Sequence, residues 1–261
     1  MKHFVKTNAK RIAAAILCAV MCIAELPFSA FAFTAEEGKT VNAYYGAKYI
    51  GSDGEKYYSP ATYQYITYDS GDNVSLHSKK AGGARTKLMI KDSSGVRQVL
   101  CIESGVDYNA KGTYTSESGK NNSYFQNLPA AVQYGLMLTS VYGWHPGKTA
   151  PVSGTNEDDF AIATQVILWE YQQQLRTSPT TLTANSYGIP TDTYYKGIQG
   201  RPAEKCYDWL LSQMQSHATV PSFASHRSGS AEVYTLKYNQ AADNYSLTLT
   251  DTNNTLADIK F

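Results

Sequence analysis

One glutamine lies where a helix should carry an apolar side chain. The segment FAIATQVILWEYQQQ, residues 160–174, predicts a helix on which the neighbours of Gln165 three and four residues away are apolar: Ala161, Ile162, Leu168 and Trp169. A buried amide without partners costs about 1–3 kcal/mol, so Gln165 either hydrogen bonds to a backbone group or takes part in chemistry. Its carboxamide carbon can be attacked by a thiolate, which releases ammonia and leaves a thioester.

Cys101 carries the thiol that could make this attack. In the strand predicted there, alternation places Val99, Cys101 and Glu103 on one face. The Glu103 carboxylate should disfavour the thiolate, but it could also pass protons to and from the reacting groups. Two other interpretations stay open, a buried inert thiol and a disulfide with Cys206, and export of the chain would permit the disulfide. Cys206 lies on an apolar helical stripe, which argues weakly against that bond.

The N-terminus has the features of an export signal. The apolar run IAAAILCAVMCIA follows four cations: Lys2, Lys6, Lys10 and Arg11. Residues 30–32, Ala-Phe-Ala, form a small-x-small cleavage pattern, so we predict a signal peptide over residues 1–32. The mature chain, beginning near Phe33, is then secreted and is not inserted in a membrane. A lipoprotein would use Cys18 or Cys22, but both lie inside the apolar run.

The residue pattern changes twice along the chain. Residues 39–103 predict strands, including a hairpin that turns through residues 92–95 and has Cys101 near the end of its second strand. A polar loop over residues 104–127 and helical segments follow. A second hairpin is predicted near the C-terminus, where apolar side chains alternate in two runs: Tyr234, Leu236 and Tyr238, then Tyr245, Leu247 and Leu249. This order favours an α+β fold with a mostly antiparallel sheet and a helical insertion.

Three helices are predicted between the strand-rich segments. Pro129 and Gly143 bracket the first helix. Asn156 is the expected N-cap of the second, which runs to about Arg176 and has three acidic residues in its first turn. The third helix is expected to begin at Pro202. The formal net charge of +1 gives no indication of a nucleic-acid partner.

Three short motifs, taken together, resemble the thioester domains of Gram-positive bacterial surface adhesins. LCIE at residues 100–103 matches the family's cysteine motif, and VQYGL at residues 132–136 is similar to its second motif, a hydrophobic residue followed by Gln. TQVILWEY at residues 164–171 is similar to its third, a Thr-Gln pair followed by a hydrophobic run and Trp. The alanine that usually follows this glutamine two places later, giving the family's TQXA pattern, is Ile167 here.

The resemblance implies an architecture for residues 33–261. A β-sandwich or barrel subdomain, about residues 39–103 and 228–261, would carry an inserted helical subdomain, about residues 125–220. In this family a Cys of the β subdomain and the Gln of the Thr-Gln motif form an internal thioester. The expected bond therefore joins Cys101 to Gln165 at the interface of the two subdomains.

The resemblance also implies roles for other residues and a function. Trp169 would shield the thioester from water, and Thr164 and Gln133 would support it. A lysine amine of a host-surface protein would attack the acyl carbon, with Glu103 or His145 as candidates for proton transfer. This capture happens once, without turnover or cofactor, so the expected protein is a covalent adhesin domain and not an enzyme. Further domains would follow it in a longer protein of the bacterial cell surface.

Two other function classes stay open. A cysteine peptidase or transpeptidase could use Cys101 with His145, although no family signature surrounds Cys101. A reversible carbohydrate- or protein-binding module could use exposed aromatic residues such as Trp144. No metal site is expected, because the acidic runs DSGDN and NEDD lack the spacing of a calcium loop and the chain has no His/Cys cluster for zinc.

Overall fold

The computed structural model describes seven ranges: residues 38–68, 74–80, 82–93, 95–119, 121–218, 235–240 and 243–249. Their strands are β1 (Thr40–Lys48), β2 (Thr62–Tyr68), β3 (Val74–Lys80), β4 (Thr86–Asp92), β5 (Gly95–Val99), β6 (Thr113–Thr115), β7 (Arg176–Ser178), β8 (Thr181–Leu182), β9 (Lys237–Asn239) and β10 (Asn244–Ser246). Their α-helices are α1 (Ser123–Asn127), α2 (Ala130–Tyr142), α3 (Glu157–Gln172) and α4 (Pro202–Ala218). The predicted signal peptide lies outside these ranges.

The strands pair antiparallel in four separate sheets. The largest has the order β5-β4-β1-β6, and the others are the pairs β2-β3, β7-β8 and β9-β10. The predicted α+β class and the antiparallel pairing are confirmed. The sheets of the described residues are open, so a closed barrel, one of the two expected arrangements, is wrong for this part of the chain. The sandwich stays a prediction.

The two predicted hairpins form, with shorter strands than expected. In the β4-β5 hairpin Asp92 pairs with Gly95, and Gly95 has a φ of 129°, which a residue with a side chain rarely adopts. β5 ends at Val99, so Cys101 lies beyond the strand in which it was expected. In the C-terminal hairpin Tyr238 pairs with Tyr245, whereas Tyr234 lies outside the described residues. The loop predicted over residues 104–127 contains β6 and α1, which sequence reasoning missed.

The helix boundaries follow the predicted caps closely. Pro129 and Gly143 flank α2 as expected. Asn156 caps α3 in a capping box, in which its side chain accepts from the Asp159 N–H and its own N–H donates to the Asp159 carboxylate. α3 ends at Gln172 and not near Arg176, because Gln174 takes a φ of 57° and turns the chain toward β7.

α3 is the central element of the core. Nearly every side chain along it is buried, including the polar residues Gln165, Glu170 and Gln172. Burial, which the sequence predicts for one apolar face, therefore extends around the whole helix. α2 and α4 pack against it. Glu170 accepts from Arg176 at 2.8 Å and from the Tyr207 hydroxyl at 2.9 Å, which ties α3 to β7 and α4. No helix in the described part of the chain has the length and apolar character needed to cross a membrane.

A close contact between α2 and α3 gives a stability prediction. A Cβ added at Gly135 of α2 would overlap the ring of Tyr171 on α3, so Gly135→Ala should lower the free energy of unfolding by about 1–3 kcal/mol. Helix propensity alone would favour Ala by about 1 kcal/mol, so the two effects have opposite signs. Denaturant unfolding measures the difference.

The Tyr171→Leu background tests the cause of this loss. With the ring removed, Gly135→Ala should cost less than it does in the wild-type protein. A stabilising Gly135→Ala change in the wild type would show that the helices do not approach as described.

Candidate functional site

The Gln165 side chain forms a two-way pairing with the backbone of Cys101. Its Oε1 accepts a hydrogen bond from the Cys101 N–H at 2.8 Å, and its Nε2 donates to the Cys101 carbonyl at 2.5 Å. This is the pattern that a neighbouring strand would supply. Because β5 ends at Val99, the carboxamide takes the place of a strand partner for Cys101.

This pairing answers the question raised by the amide in an apolar helix. Gln165 is 6% exposed, and its polar atoms are satisfied by a backbone group, as the simpler interpretation requires. That backbone belongs to Cys101, the residue that carries the candidate nucleophile. The structural and the chemical interpretation of Gln165 therefore describe the same contact.

Cys101 is half-buried and lines the same cleft as this carboxamide. Its Sγ donates to the Glu103 carbonyl at 3.1 Å, and both Cys101 and Gln165 line a cleft of about 190 Å³. Burial raises the pKa of the thiol, while the Glu103 backbone and the Trp169 indole N–H lower it and the Glu103 carboxylate raises it. Cys206 is fully buried in α4, and both cysteines are free, so the structure does not contain the disulfide left open above.

Trp169 also lines the cleft, one helical turn after Gln165. Its indole N–H is buried without a hydrogen bond to any described group, and it influences the pKa of the Cys101 thiol. The Arg85 guanidinium lies over the indole at 4.8 Å, and the Tyr194 ring packs at 5.4 Å. This position fits the predicted shielding role, which stays a prediction.

Glu103 contacts the Cys101 thiol through its backbone, and its carboxylate acts on the thiol electrostatically. Its carbonyl accepts from the Cys101 thiol, and burial raises the pKa of its carboxyl group. The neutral, proton-carrying form is therefore favoured more than in water. A carboxyl group with a raised pKa in this position can exchange protons with sulfur and with a departing nitrogen.

Thr164 and Gln133 make contacts outside the cleft. The Thr164 hydroxyl accepts from the Trp144 N–H and donates to the Phe160 carbonyl, each at 2.8 Å, so it fixes the loop after α2 onto α3. Gln133 donates to the carbonyls of Gln126 and Leu128 before α2. Their predicted support of the thioester stays a prediction, and these contacts give it no direct route to the cleft.

His145 and Trp144 lie on that same loop. The His145 ring contacts the Pro146 carbonyl at 3.3 Å, and His145 is not among the residues that line the cleft with Cys101. Its role in proton transfer stays a prediction. Trp144 is 5% exposed and donates to Glu157 at 3.0 Å, so the expectation of an exposed aromatic residue is wrong. The loop buries the indole because its backbone is tied to Thr164.

Sequence reasoning missed Arg85, which lines the cleft with Cys101 and Gln165. In the sequence Arg85 begins the run RTKLMIK, where a cation among alternating residues looks like a solvent-exposed strand position. Nothing in that pattern indicates burial. In the described part of the chain, no group of three or more His, Cys, Asp or Glu side chains could hold a metal ion.

The pairing of Gln165 with the Cys101 backbone gives a stability prediction independent of any thioester. In a Cys101→Ala background, adding Gln165→Met should lower the free energy of unfolding by about 1–3 kcal/mol, because the part-buried N–H and carbonyl of residue 101 both lose their partner. Chemical denaturation measures the loss.

Gln133→Met in the same background is the matched control. Gln133 also bonds to backbone carbonyls, but it is partly exposed and water can replace it, so the loss should be smaller. An equal cost for the two changes would contradict a special role for Gln165 in joining α3 to residue 101.

Comparison with known proteins agrees with this site. A family model described as TED: Thioester domain matches residues 98–216, a segment that includes Cys101, Gln133 and Gln165. No curated protein and no solved structure matches the chain. The family supports a thioester-based covalent binding function. Residues 98–216, which hold both members of the Cys101–Gln165 pair, are therefore similar to the thioester domain family.

Proposed function

We propose that Cys101 and Gln165 form an internal thioester with which the protein captures an amine covalently. One observation carries this proposal: the Gln165 carboxamide is held by the backbone of Cys101 inside the cleft that the thiol also lines. Such fixed proximity replaces a rare encounter between distant groups by a reaction between neighbours.

Formation of the bond uses Cys101 and Gln165 of the cleft, with Glu103, which contacts the thiol through its backbone carbonyl. The Cys101 Sγ attacks the Gln165 Cδ, a C–S bond forms, and the C–N bond breaks. The thiol proton leaves with the amide nitrogen as ammonia. The Cys101 N–H, which donates to Oε1 at 2.8 Å, is directed at the oxygen on which negative charge develops. Glu103 can carry the proton from sulfur to nitrogen.

Capture reverses the roles of sulfur and nitrogen. A neutral amine attacks the acyl carbon, a C–N bond forms and the C–S bond breaks, and the amine's proton ends on the Cys101 sulfur. The product is an isopeptide-type amide when the amine is a lysine side chain. Thiolate is a better leaving group than amide nitrogen, so the product resists reversal. Each molecule reacts once, which distinguishes this function from catalysis.

The proposed partner is a protein of a host surface that presents a lysine amine. The thioester domain family and the export signal read from residues 1–32 support secretion and display at a bacterial cell surface. Further domains of a longer surface protein are part of the same proposal.

The two alternatives have less support. A cysteine peptidase needs a base near Cys101, and the described histidines that make hydrogen bonds do so elsewhere: His77 with Thr67, His145 with Pro146, and His217 with Tyr142. A reversible binding module could instead use tyrosines near the cleft, since Tyr45 lines it and is 54% exposed. Of the three functions, the thioester is the one in which Gln165 beside Cys101 is itself a reactant.

Intact-mass spectrometry tests the bond and its reactivity together. Freshly purified protein should weigh one ammonia less than its sequence requires, and methylamine should add one molecule per chain while freeing one thiol. Cys101→Ala should abolish both changes. A loss of two hydrogens would indicate a disulfide, and an unchanged mass with an alkylatable Cys101 would contradict the thioester.

The proton-transfer role of Glu103 is tested against that of His145. Glu103→Gln should slow thioester formation by about 10²- to 10⁴-fold, since it removes the group that moves the proton. The ammonia-depleted fraction measured against time after refolding gives the rate. His145→Ala should have a much smaller effect, and equal slowing by the two changes would contradict the assignment to Glu103.

A further inference from the structure

Arg85 is a buried cation at the edge of the cleft. It is 9% exposed, and its backbone is fixed on both sides, with its N–H donating to the Tyr57 carbonyl at 2.8 Å and its carbonyl accepting from the Tyr49 N–H at 3.0 Å. Its guanidinium stacks over the Trp169 indole at 4.8 Å. Arg85, Trp169, Cys101 and Gln165 all line the same cleft.

The charge of Arg85 has no anionic partner within the described residues. Its Nε is buried without a hydrogen bond, and none of the ion pairs in this part of the chain includes it. Asp158, which acts electrostatically on the adjacent Tyr49, is paired with Lys87 at 2.5 Å. Burial lowers the pKa of Arg85 to about 10, so it still carries its charge at neutral pH.

Stability alone gives little reason for such a residue. A buried charge without a partner is costly, and an apolar side chain of similar size would pack against Trp169 without that cost. Stacking on the indole offsets only part of it, about 1–2 kcal/mol for a desolvated pair. The contrast with Arg176 is direct, because that buried arginine is paired with Glu170.

The guanidinium is held in one place by its surroundings. A Cβ added at Gly197 would lie 3.3 Å from the Arg85 Nη2. Gly197 therefore leaves the room that the planar group occupies. Preorganised groups of this kind bind planar anions such as carboxylates with two parallel hydrogen bonds.

The size of the cleft limits what can enter. A volume of about 190 Å³ corresponds to about six water molecules, at roughly 30 Å³ each. An aliphatic amine side chain with one small anionic group suits a cleft of this size. The unpaired cation also repels a protonated amine, so a bare ammonium group enters at a disadvantage.

We propose that Arg85 forms an anion subsite, which binds a carboxylate carried by the same molecule as the attacking amine. The site thus selects amines with a neighbouring carboxylate, such as a lysine beside an acidic residue on the partner protein. This proposal rests on the proposed thioester. The carboxylate binds by an ion pair and hydrogen bonds, and it takes no part in the exchange of C–S for C–N.

Small amines that differ only in charge test the subsite. γ-Aminobutyrate and its neutral analogue γ-aminobutyramide are added separately to the freshly purified full chain, and adduct formation is followed by intact mass. Rates are divided by the concentration of unprotonated amine. The wild-type protein should react with γ-aminobutyrate roughly 10- to 100-fold faster, as expected for charge-assisted hydrogen bonds to a carboxylate. The cationic diamine putrescine should react more slowly than the amide.

Substitutions at Arg85 then test whether this residue causes the preference for γ-aminobutyrate. Arg85→Gln should bring the ratio of the two rates close to one. Arg85→Lys should leave an intermediate ratio, because lysine keeps the positive charge but cannot make the two parallel hydrogen bonds of a guanidinium. The ratio is taken within each protein, so a change common to both amines cancels. Lys205→Gln, which removes an exposed cation of α4, should keep the wild-type ratio.

The outcomes separate this proposal from the thioester itself. If the wild-type protein reacts with methylamine but its ratio of rates is near one, the thioester stands and the subsite is overturned. This result does not depend on whether Arg85→Gln folds. A wild-type ratio that persists in Arg85→Gln also overturns it. Faster reaction with aminopropylphosphonate than with γ-aminobutyrate overturns the assignment to a carboxylate. A wild-type chain with its full mass and no methylamine adduct overturns the proposed function.

Discussion

The site depends on one interaction, the pairing of the Gln165 carboxamide with the N–H and carbonyl of Cys101. It joins the central helix to the chain that leaves the four-stranded sheet, and it fixes an acyl group beside a thiol. The same N–H that satisfies Oε1 in the unreacted pair faces the oxygen that would carry charge during acyl transfer. A contact with an ordinary structural purpose would thus prepare the proposed reaction.

Other glutamines of the same helix region make the same kind of contact. Gln173 accepts from the Ile66 N–H of β2 at 2.5 Å and donates to the Ile66 carbonyl at 3.5 Å, and Gln172 accepts from the Ser104 N–H at 3.1 Å. Amides of α3 and its C-cap therefore serve as partners for backbone groups that lack a strand partner. Among these three glutamines, Gln165 is the one whose backbone partner belongs to a cysteine. In the proposed function, the Cys101 thiol makes this structural contact a reactive one.

The sequence was most informative where local rules decide the structure. The caps at Pro129 and Asn156 gave the starts of two helices, because capping depends on neighbouring residues alone. An amide among apolar neighbours was enough to single out Gln165. The burial of Trp144 and of Arg85 was beyond such reasoning, since both depend on packing between segments distant in the chain. For the same reason the end of β5 before Cys101 could not be read from strand alternation, as a helix side chain replaces the strand partner there.

Burial of the cleft affects the proposed reaction in two opposing ways. It raises the pKa of Cys101 and of Glu103, so a thiolate or carboxylate formed there is less stable than in water. A neutral amine that ends as an amide and leaves its proton on sulfur creates no net charge, so a dry cleft penalises this route least. The Arg85 cation adds a second condition, because it disfavours an ammonium group and is neutralised by a carboxylate. A cleft with these properties would keep a thioester intact in water while leaving it open to an amine that brings its own counter-charge.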